Sequence, residues 1–492
     1  MSRSMSNLLS THKRELLDIY KCAIEAVKPE TLIEKAISFK DGQFVIREPD
    51  DTRTTLDLDR KSLHVIGGGK STLAMATGLA SIVIRDRVSH LFSNGCLSIP
   101  IDQMKKCHTN KVDELLKLVK TDCLSGSKDN LPDNDSVGAS KSILAKVTEA
   151  CHDDRRLGLK PLFIVLLSGG GSACLTSPKL LSLEEKLHLI KYLAQRGADI
   201  VELNTVRRCF SNMKGGQLAI NIYRQCPDAE IVALIMSDIV GDPIEFIASG
   251  PTCLPSLEDL TLRQSKLVDI LDRYAYPNRD KLVDLINNDN LDLSNDIETI
   301  RKKLRIQNKI IGNNSVALDA SINRAKAFGY RVESMGNKIQ GRTQKVIEEI
   351  VNFTRSRSSN GQSKILIIGA GEATVIKEPD EQWGLGGRAQ EMALDYIISR
   401  MTSGTAIDDL DLFIAASTDG QDGPTDVAAC MASYSEIINQ EQPPFNLDEA
   451  YRAKKSHDSN NFWRAHKPDW LVRSGLTGTN VMDLYMLVKS DR

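Results

Sequence analysis

The stretch Leu162-Phe163-Ile164-Val165-Leu166-Leu167-Ser168-Gly169-Gly170-Gly171-Ser172 decides how the rest of the chain is read. Six apolar residues run without a break into Ser168 and three glycines, followed by Ser172 and the small-residue turn Ala173-Cys174. An unbroken apolar run closed by turn residues reads as a strand buried on both faces, as in a parallel α/β sheet. Glycines at its carboxyl end let the backbone approach a ligand, and neighbouring N–H groups can converge on an anion. The alternative is a tight strand-to-helix turn that binds nothing. Recurrence of the pattern favours a phosphate cradle.

The first recurrence lies upstream. Leu63-His64-Val65-Ile66 runs into Gly67-Gly68-Gly69-Lys70-Ser71-Thr72 and the helical Leu73-Ala74-Met75-Ala76. His64 stands where a Walker A loop needs its first glycine, so this is not a P-loop. What survives is a glycine turn at a helix start with Lys70 aimed at an anion; a solvated surface lysine is the alternative. Downstream, Asn204-Thr205-Val206-Arg207-Arg208 and Ser211-Asn212-Met213-Lys214-Gly215-Gly216-Gln217 are dense in polar groups, and Lys214 repeats the arrangement at Lys70. The apolar run Ile231–Met236 ends in Ser237-Asp238-Ile239-Val240-Gly241-Asp242-Pro243. Two carboxylates at a strand end suit Mg²⁺, which takes one or two carboxylates plus phosphate oxygens; an N-cap and a turn aspartate would look the same.

The second half repeats the theme. Ile365–Ile368 leads to an expected glycine turn at Gly369-Ala370-Gly371, followed by Glu372. Gly384-Leu385-Gly386-Gly387 places Arg388 at a helix start, and Leu412–Ala416 runs into Ser417-Thr418-Asp419-Gly420-Gln421-Asp422. The twelfth residue counted from Asp419 is Cys430, so this is not an EF-hand calcium loop. Residues 256–303 alternate charged and apolar positions at helical spacing and read as a helical connection. Arg355–Ser363 is low in complexity and reads as a loop. The expected organisation is an N-terminal domain over 1–255, the connection over 256–303, and a C-terminal domain over 304–492.

Composition excludes several classes. Sixty-three basic against 65 acidic residues leave a formal charge of −2, and aromatics are only 5%, so neither a basic footprint nor a stacking platform for nucleic acid exists. Ten scattered cysteines without a CxxC pair suit neither a zinc site nor a disulfide framework, and fit a reducing compartment. No apolar run reaches membrane-spanning length and no signal-peptide core opens the chain, so a cytoplasmic enzyme is expected ahead of a mitochondrial one. No GxSxG elbow occurs, and neither triple glycine fits the GxGxxG of a Rossmann reductase. The cations beside glycine loops and the carboxylates at strand ends serve phosphoryl transfer, which needs positioning and charge neutralisation more than covalent chemistry. Lys70, Lys214 and Arg388 can neutralise phosphoryl charge, and Asp238, Asp242, Asp419 and Asp422 can hold Mg²⁺ or orient a hydroxyl.

Taken together the motifs resemble the two-domain glycerate kinases that carry a MOFRL module. Ten carriers occur in order: Gly69-Lys70 with Met75-Ala76; Asn130-Leu131-Pro132-Asp133; Ser168 to Ala173; Asn204 with Arg207 and Lys214-Gly215-Gly216; Ser237-Asp238 with Gly241-Asp242-Pro243; Ser249-Gly250-Pro251-Thr252; Gly371-Glu372 with Thr374-Val375; Gly386-Gly387-Arg388 with Gln390-Glu391; Thr418-Asp419-Gly420 with Asp422-Gly423-Pro424-Thr425; and Thr479-Asn480-Val481. Departures are Ser71-Thr72 where the family has alanines, Ala389 for a common asparagine, Ser417 and Cys430 for glycines, and His457-Asp458-Ser459 for an Asn-Asp-Ser segment. None removes a charge that phosphoryl transfer needs.

The resemblance implies an α/β protein of two domains: a three-layer N-terminal domain with a mainly parallel sheet, and a smaller C-terminal α/β domain. It implies ATP-dependent phosphorylation of D-glycerate, with 2-phosphoglycerate as the expected product and the site in the cleft between the domains. On this basis Lys70, Arg388 and Asp238 are the catalytic candidates. Ser168, Gly169, Gly170, Gly171, Ser172, Asn204 and Lys214 are the nucleotide-binding candidates. Asp238, Asp242 and Asp419 are the Mg²⁺ candidates. The partner is a small molecule, with no nucleic acid or membrane, and a homo-oligomer stays open. Other classes compatible with the residues are a kinase or NAD(P)-dependent reductase for another hydroxy acid, and a catalytically silent nucleotide-binding protein.

Overall fold

The computed structural model describes residues 3–107, 109–128, 131–355, 364–376, 383–403 and 409–491. Asn130 and the low-complexity residues 356–363 lie outside them. Two compact units emerge, one from Pro29–Ser237 with Pro243–Ile311, the other from Met1–Lys28, Asp238–Asp242 and Gly312–Arg492.

In the first unit the run quoted above is a strand, Lys160–Leu167, buried from Pro161 onward. It lies in a six-stranded sheet of order Thr121–Ser125, Phe92–Ile99, Lys61–Gly68, Lys160–Leu167, Glu230–Met236 and Arg305–Gly312. The first five strands pair in parallel. Glu230–Met236 is also buried at every position, as a sheet covered on both faces requires. The chain enters at Lys61–Gly68, steps outward through Phe92–Ile99 and Thr121–Ser125, then returns to the other side of the first strand with Lys160–Leu167. Strand order therefore reverses between Lys61–Gly68 and Lys160–Leu167, and ligands of open α/β sheets bind outside the carboxyl ends of strands at such a switch point.

Two features lie outside the expected organisation. Ile37–Lys40, Gln43–Arg47 and Arg53–Asp57 form a separate antiparallel sheet, with Asp41 and Gly42 both at positive φ (52° and 72°) in its first hairpin turn. The Asp-Gly pair is a hairpin signal of the type I′ kind. Residues 256–303 are helical as expected (Leu257–Arg273 and Arg279–Lys303), yet they are not a bare connection. Leu267, Leu271 and Ile286 are buried in one core with Leu189, Leu203 and Phe210 of this same unit.

The second unit holds a seven-stranded mixed sheet. Its centre is Ile365–Thr374, Asp483–Asp491 and Asp409–Ser417, paired antiparallel in that order. The glycine turn expected at 369–371 is instead strand: parallel pairing with Ile339–Arg342 carries the ladder through to Thr374, and Gly371 faces Ile339 so closely that a Cβ would fall 1.9 Å from its carbonyl oxygen. Helix Arg3–Ala26 belongs here and not with the residues that follow it. It buries Leu16, Ile19, Tyr20 and Ala23, and Tyr20 donates to the Ser417 carbonyl at 2.5 Å. Boundaries at 255 and 303 thus do not describe the units, because Arg305–Gly312 extends the first sheet and the N-terminal helix packs with the second.

Candidate active site

At the switch point the two glycine loops are bonded to each other. The Lys70 N–H donates to the Gly169 carbonyl at 2.9 Å, and the Ser71 N–H donates to Ser168 Oγ at 3.0 Å. Ser168 is buried, and its side chain pins the Lys70 loop. Lys70 is half-buried and lies along the face of Gly170, where a Cβ would stand 3.1 Å from its Cγ. Helix Thr72–Asp86 begins directly after it. Lys70 is thereby a cation fixed at a helix start above a glycine loop, as the sequence suggested.

The Gly169–Ser172 loop is fastened on its other side. Ser172 Oγ is 2.8 Å from Ser249 Oγ. Gly171 admits no side chain, since a Cβ would meet the Ala248 Cβ at 2.6 Å and the Gly68 carbonyl at 2.9 Å. Ala248, Ser249 and Gly250 all have positive φ (50°, 64° and 62°), a strained run for two residues with side chains. Their carbonyls justify it: Ser249 O and Gly250 O accept from the Gly215 and Gly216 N–H groups at 2.8 Å each. The Lys214 loop, the Ser249 strap and the GGGS loop are therefore one bonded assembly, within which Ser211 Oγ also accepts from the Lys214 N–H at 3.1 Å. Lys214 itself is only 2% exposed, in contrast to Lys70. Burial and the neighbouring Lys186 and Arg207 hold its pKa well below the usual lysine range. Asn204 accepts from Arg207 Nη1 through Oδ1 at 3.0 Å.

In the second unit Arg388 opens helix Arg388–Thr402, as expected, but its guanidinium is not free. Nε and Nη2 engage Asp483, the latter at 2.9 Å, and Nη1 pairs with Glu372 at 2.9 Å. The Asp483 side chain is fully buried and that of Glu372 is 39% exposed, so the first is an anchor and the second an exchangeable partner. Burial works against the Arg388 charge, and Asp483 and Glu372 more than offset it, keeping its pKa above the ordinary value. Ser417 Oγ donates to Asp483 Oδ1 at 2.8 Å. Burial raises the carboxyl of Glu372, as do Asp483, Asp238 and Asp419, while Arg388 pulls it down. A pocket of about 370 Å³ beside this group is lined by Glu372, Thr374, Trp383, Arg388, Glu391 and His457.

The aspartates divide by role. Asp422 is buried and accepts from the Ala389 and Gln390 N–H groups at 2.9 and 3.0 Å, capping the Arg388 helix; burial pushes it up to about 6. It is a structural cap: both carboxylate oxygens are taken by the Ala389 and Gln390 N–H groups and Gln390 Nε2, which leaves neither to orient a hydroxyl or hold a metal. Asp242 Oδ2 accepts from Asn313 Nδ2 at 2.6 Å, while its Oδ1 is buried without a partner. Asp419 accepts from the Gln421 N–H at 2.9 Å. Asp238 follows the Glu230–Met236 strand and reaches Glu372 electrostatically. Among the described residues no three His, Cys, Asp or Glu side chains form a metal-holding group, so Asp238, Asp242 and Asp419 do not make one cage. The orphaned Asp242 Oδ1 and the mutually repelling carboxylates fit a cation that takes one or two protein ligands and completes its shell elsewhere. His64 is no ligand: it is buried in a network with Ser62, Asn94 and Asp154, its Nε2 2.8 Å from Asp154 Oδ2.

Residues 15–286 match a family model described as a domain of unknown function, DUF4147, and residues 365–483 match the MOFRL family. A Mus musculus protein named glycerate kinase is 30% identical over 98% of this chain and 93% of its own. The chain belongs to this glycerate kinase family. An uncharacterised Caenorhabditis elegans protein is 31% identical over 98% of this chain and 99% of its own. A crystal structure of a Thermotoga maritima glycerate kinase shares the fold, with a TM-score of 0.70 at 24% identity over 98% of this chain and 100% of that one. Family membership places the chain among the ATP-dependent kinases.

Lys70, Arg388 and the three loops were singled out in the sequence, Ser249 only as a member of a motif, and Asp483 and Lys186 not at all. Glu372 was visible only as part of a motif. A carboxylate such as Asp483, in a strand 95 positions from Arg388, carries no local signal that it pairs with it.

Proposed function

We propose that this protein phosphorylates D-glycerate with MgATP and releases 2-phosphoglycerate. The observation that carries this reading is Lys70, held by its own backbone over Gly170 at the switch point of a parallel sheet. Relatives that cover nearly the whole chain and are named glycerate kinase support the choice of substrate, and the Pyrococcus horikoshii relative named glycerate 2-kinase, 26% identical over 96% of this chain, supports the product.

In this reading Lys70 meets the oxygens of the transferring phosphoryl group, where a fixed cation stabilises developing charge without reorganisation. The loop Ser168 to Ser172 binds the nucleotide through the backbone of Gly169, Gly170 and Gly171, with Ser172 oriented by Ser249 and Ser168 serving as the pin. Asn204 and Lys214 complete the nucleotide site. Arg388 keeps its plane through Asp483, and an incoming oxyanion exchanges with Glu372 at Nη1. Asp238 orients the hydroxyl of the acceptor. When bound, Mg²⁺ supplies further neutralisation of the phosphate oxygens, with one or two of Asp238, Asp242 and Asp419 as its protein ligands. We place this activity in the cytoplasm.

Turnover of D-glycerate with MgATP, followed by ³¹P NMR to locate the phosphate, tests the proposal. The expected product carries phosphate on the 2-hydroxyl. No turnover of glycerate, with turnover of another hydroxy acid from a panel or oxidation of NAD(P)H instead, would replace the reading with a different kinase or a reductase. Nucleotide binding without turnover of any acid would make it a silent relative.

A further inference from the structure

Three cations of the first unit lack what buried cations normally have. Lys214 is 2% exposed, Lys186 is 5% exposed, and Arg207 is half-buried beside Asn204. Among the described residues none of the three forms an ion pair with a carboxylate, and no hydrogen bond reaches the Lys214 ammonium. Lys186 Nζ donates to the Phe210 carbonyl at 2.6 Å, and Arg207 Nη1 to Asn204 Oδ1. Neither partner carries charge. Lys186 also sits in the first turn of helix Leu183–Ala194, the positive end of its dipole. A buried ammonium without an anion costs several kcal/mol, and like charges nearby add to that.

The backbone around Lys214 holds it there regardless. Gly215 and Gly216 are tied to Ser249 and Gly250, and Ser249 is tied to Ser172 of the glycine loop. The cluster is therefore rigidly attached to the switch point of the sheet.

We infer that Lys186, Arg207 and Lys214 form a preformed receptor for a multiply charged oxyanion, and that this anion is the phosphate chain of the nucleotide. The inference rests on the nucleotide-dependent activity proposed above and adds Lys186 and Arg207 to its site. Charge decides between the two anions of the reaction. Two lysines and a guanidinium match a polyphosphate, whereas glycerate offers a single carboxylate. Burial and Arg207 depress Lys186 to about 7, and Lys214 is held low by burial, Lys186 and Arg207. The other titratable groups facing the pair are the Cys174 and Cys209 thiols, with Arg208 and Arg263 beside Cys209. An arriving phosphate chain therefore raises both lysines and draws in protons.

Calorimetry on the full chain at pH 8 with ADP, inorganic phosphate and D-glycerate separately is the test, applied to the wild type, Lys214→Met and Arg207→Gln. In the wild type, ADP binds with proton uptake, read as a binding heat that differs between two buffers of unlike ionisation enthalpy. Lys214→Met is expected to lose at least about 30-fold in ADP affinity, roughly the worth of one charge-assisted contact, together with most of the proton uptake. Its unliganded melting temperature is expected to equal or exceed that of the wild type, since the Lys214 amine has no hydrogen bond or ion pair to lose among the described residues; a merely structural lysine would lower it. Should Lys214→Met fail to fold, a loss of ADP affinity in Arg207→Gln supports the same conclusion and unchanged affinity there overturns it. ADP affinity within threefold of wild type in folded Lys214→Met overturns the inference, as does loss of D-glycerate binding in place of ADP binding. If the wild type turns over glycerate while ADP binding ignores Lys214, only this inference falls. If no acid is turned over but ADP still needs Lys214, only the proposed reaction falls.

Discussion

Ser172 and Ser249 are joined Oγ to Oγ at 2.8 Å, and this bond links the glycine loop to the strained turn that carries the Lys214 loop. The strain at Ala248 and Ser249 is retained because their neighbouring carbonyls hold two glycine N–H groups in place.

Gly171→Ala is expected to destabilise the protein by about 1–3 kcal/mol, because the new methyl must push against the Ala248 Cβ 2.6 Å away in a closely packed loop. Gly138→Ala is the control. It lies inside helix Asn134–Leu157 with nothing within 4 Å of a new Cβ, and is expected to stabilise by about 0.5–1 kcal/mol. Urea unfolding of the two variants reads the contrast, and equal effects would refute the packing argument.

Lys70→Ala is expected to lower kcat by about two to three orders of magnitude with little change in melting temperature. The side chain is half-buried and its fixed position comes from backbone bonds that alanine keeps. Turnover assays beside circular dichroism melts measure both; near-normal turnover of D-glycerate would exclude Lys70 from the chemistry.

Arg388→Ala is a different matter. It strands the fully buried Asp483 carboxylate, so a stability loss of about 3–5 kcal/mol is expected in addition to lost activity. Arg388→Ala combined with Asp483→Asn is expected to recover much of the stability and none of the activity. Denaturant curves that show simple additivity of the two changes would rule out the anchoring role.

Stability is expected to rise with pH above neutrality through Lys186. Its folded pKa, depressed to about 7 by burial and Arg207, lies below that of the unfolded chain. Between the two values the unfolded state binds more protons, so the unfolding free energy climbs with a slope that approaches about 1.4 kcal/mol per pH unit. Lys186→Met is expected to flatten that slope between pH 7 and 10 in urea titrations; an unchanged slope would show that Lys186 titrates normally.

Lys61–Gly68, Lys160–Leu167 and Glu230–Met236 were legible because each carries an apolar run closed by glycine or small polar residues. Phe92–Ile99 and Thr121–Ser125 are broken by Ser, Asn and Asp and were not. Lys70 and Arg388 were legible for a related reason: a glycine turn followed by a helix fixes where the intervening cation stands. The Asp41-Gly42 hairpin carries a turn signal, but the strands around it are four and five residues long and give little alternation to read. The helical span 256–303 was legible as helix but not as part of a core, because periodicity shows an apolar face without naming what covers it.

By itself, then, the sequence determined the α/β class, the glycine loops and the cations that stand beside them, all of which depend on residues near in the chain. Tertiary structure alone decided that Asp483 anchors Arg388, that Asp422 caps a helix, that Ser168 is a pin, and that Lys214 is nearly buried beside Lys186. Burial and pairing are set by residues tens to hundreds of positions apart, and the same aspartate or lysine is a ligand, a cap or an anchor according to which of them it meets.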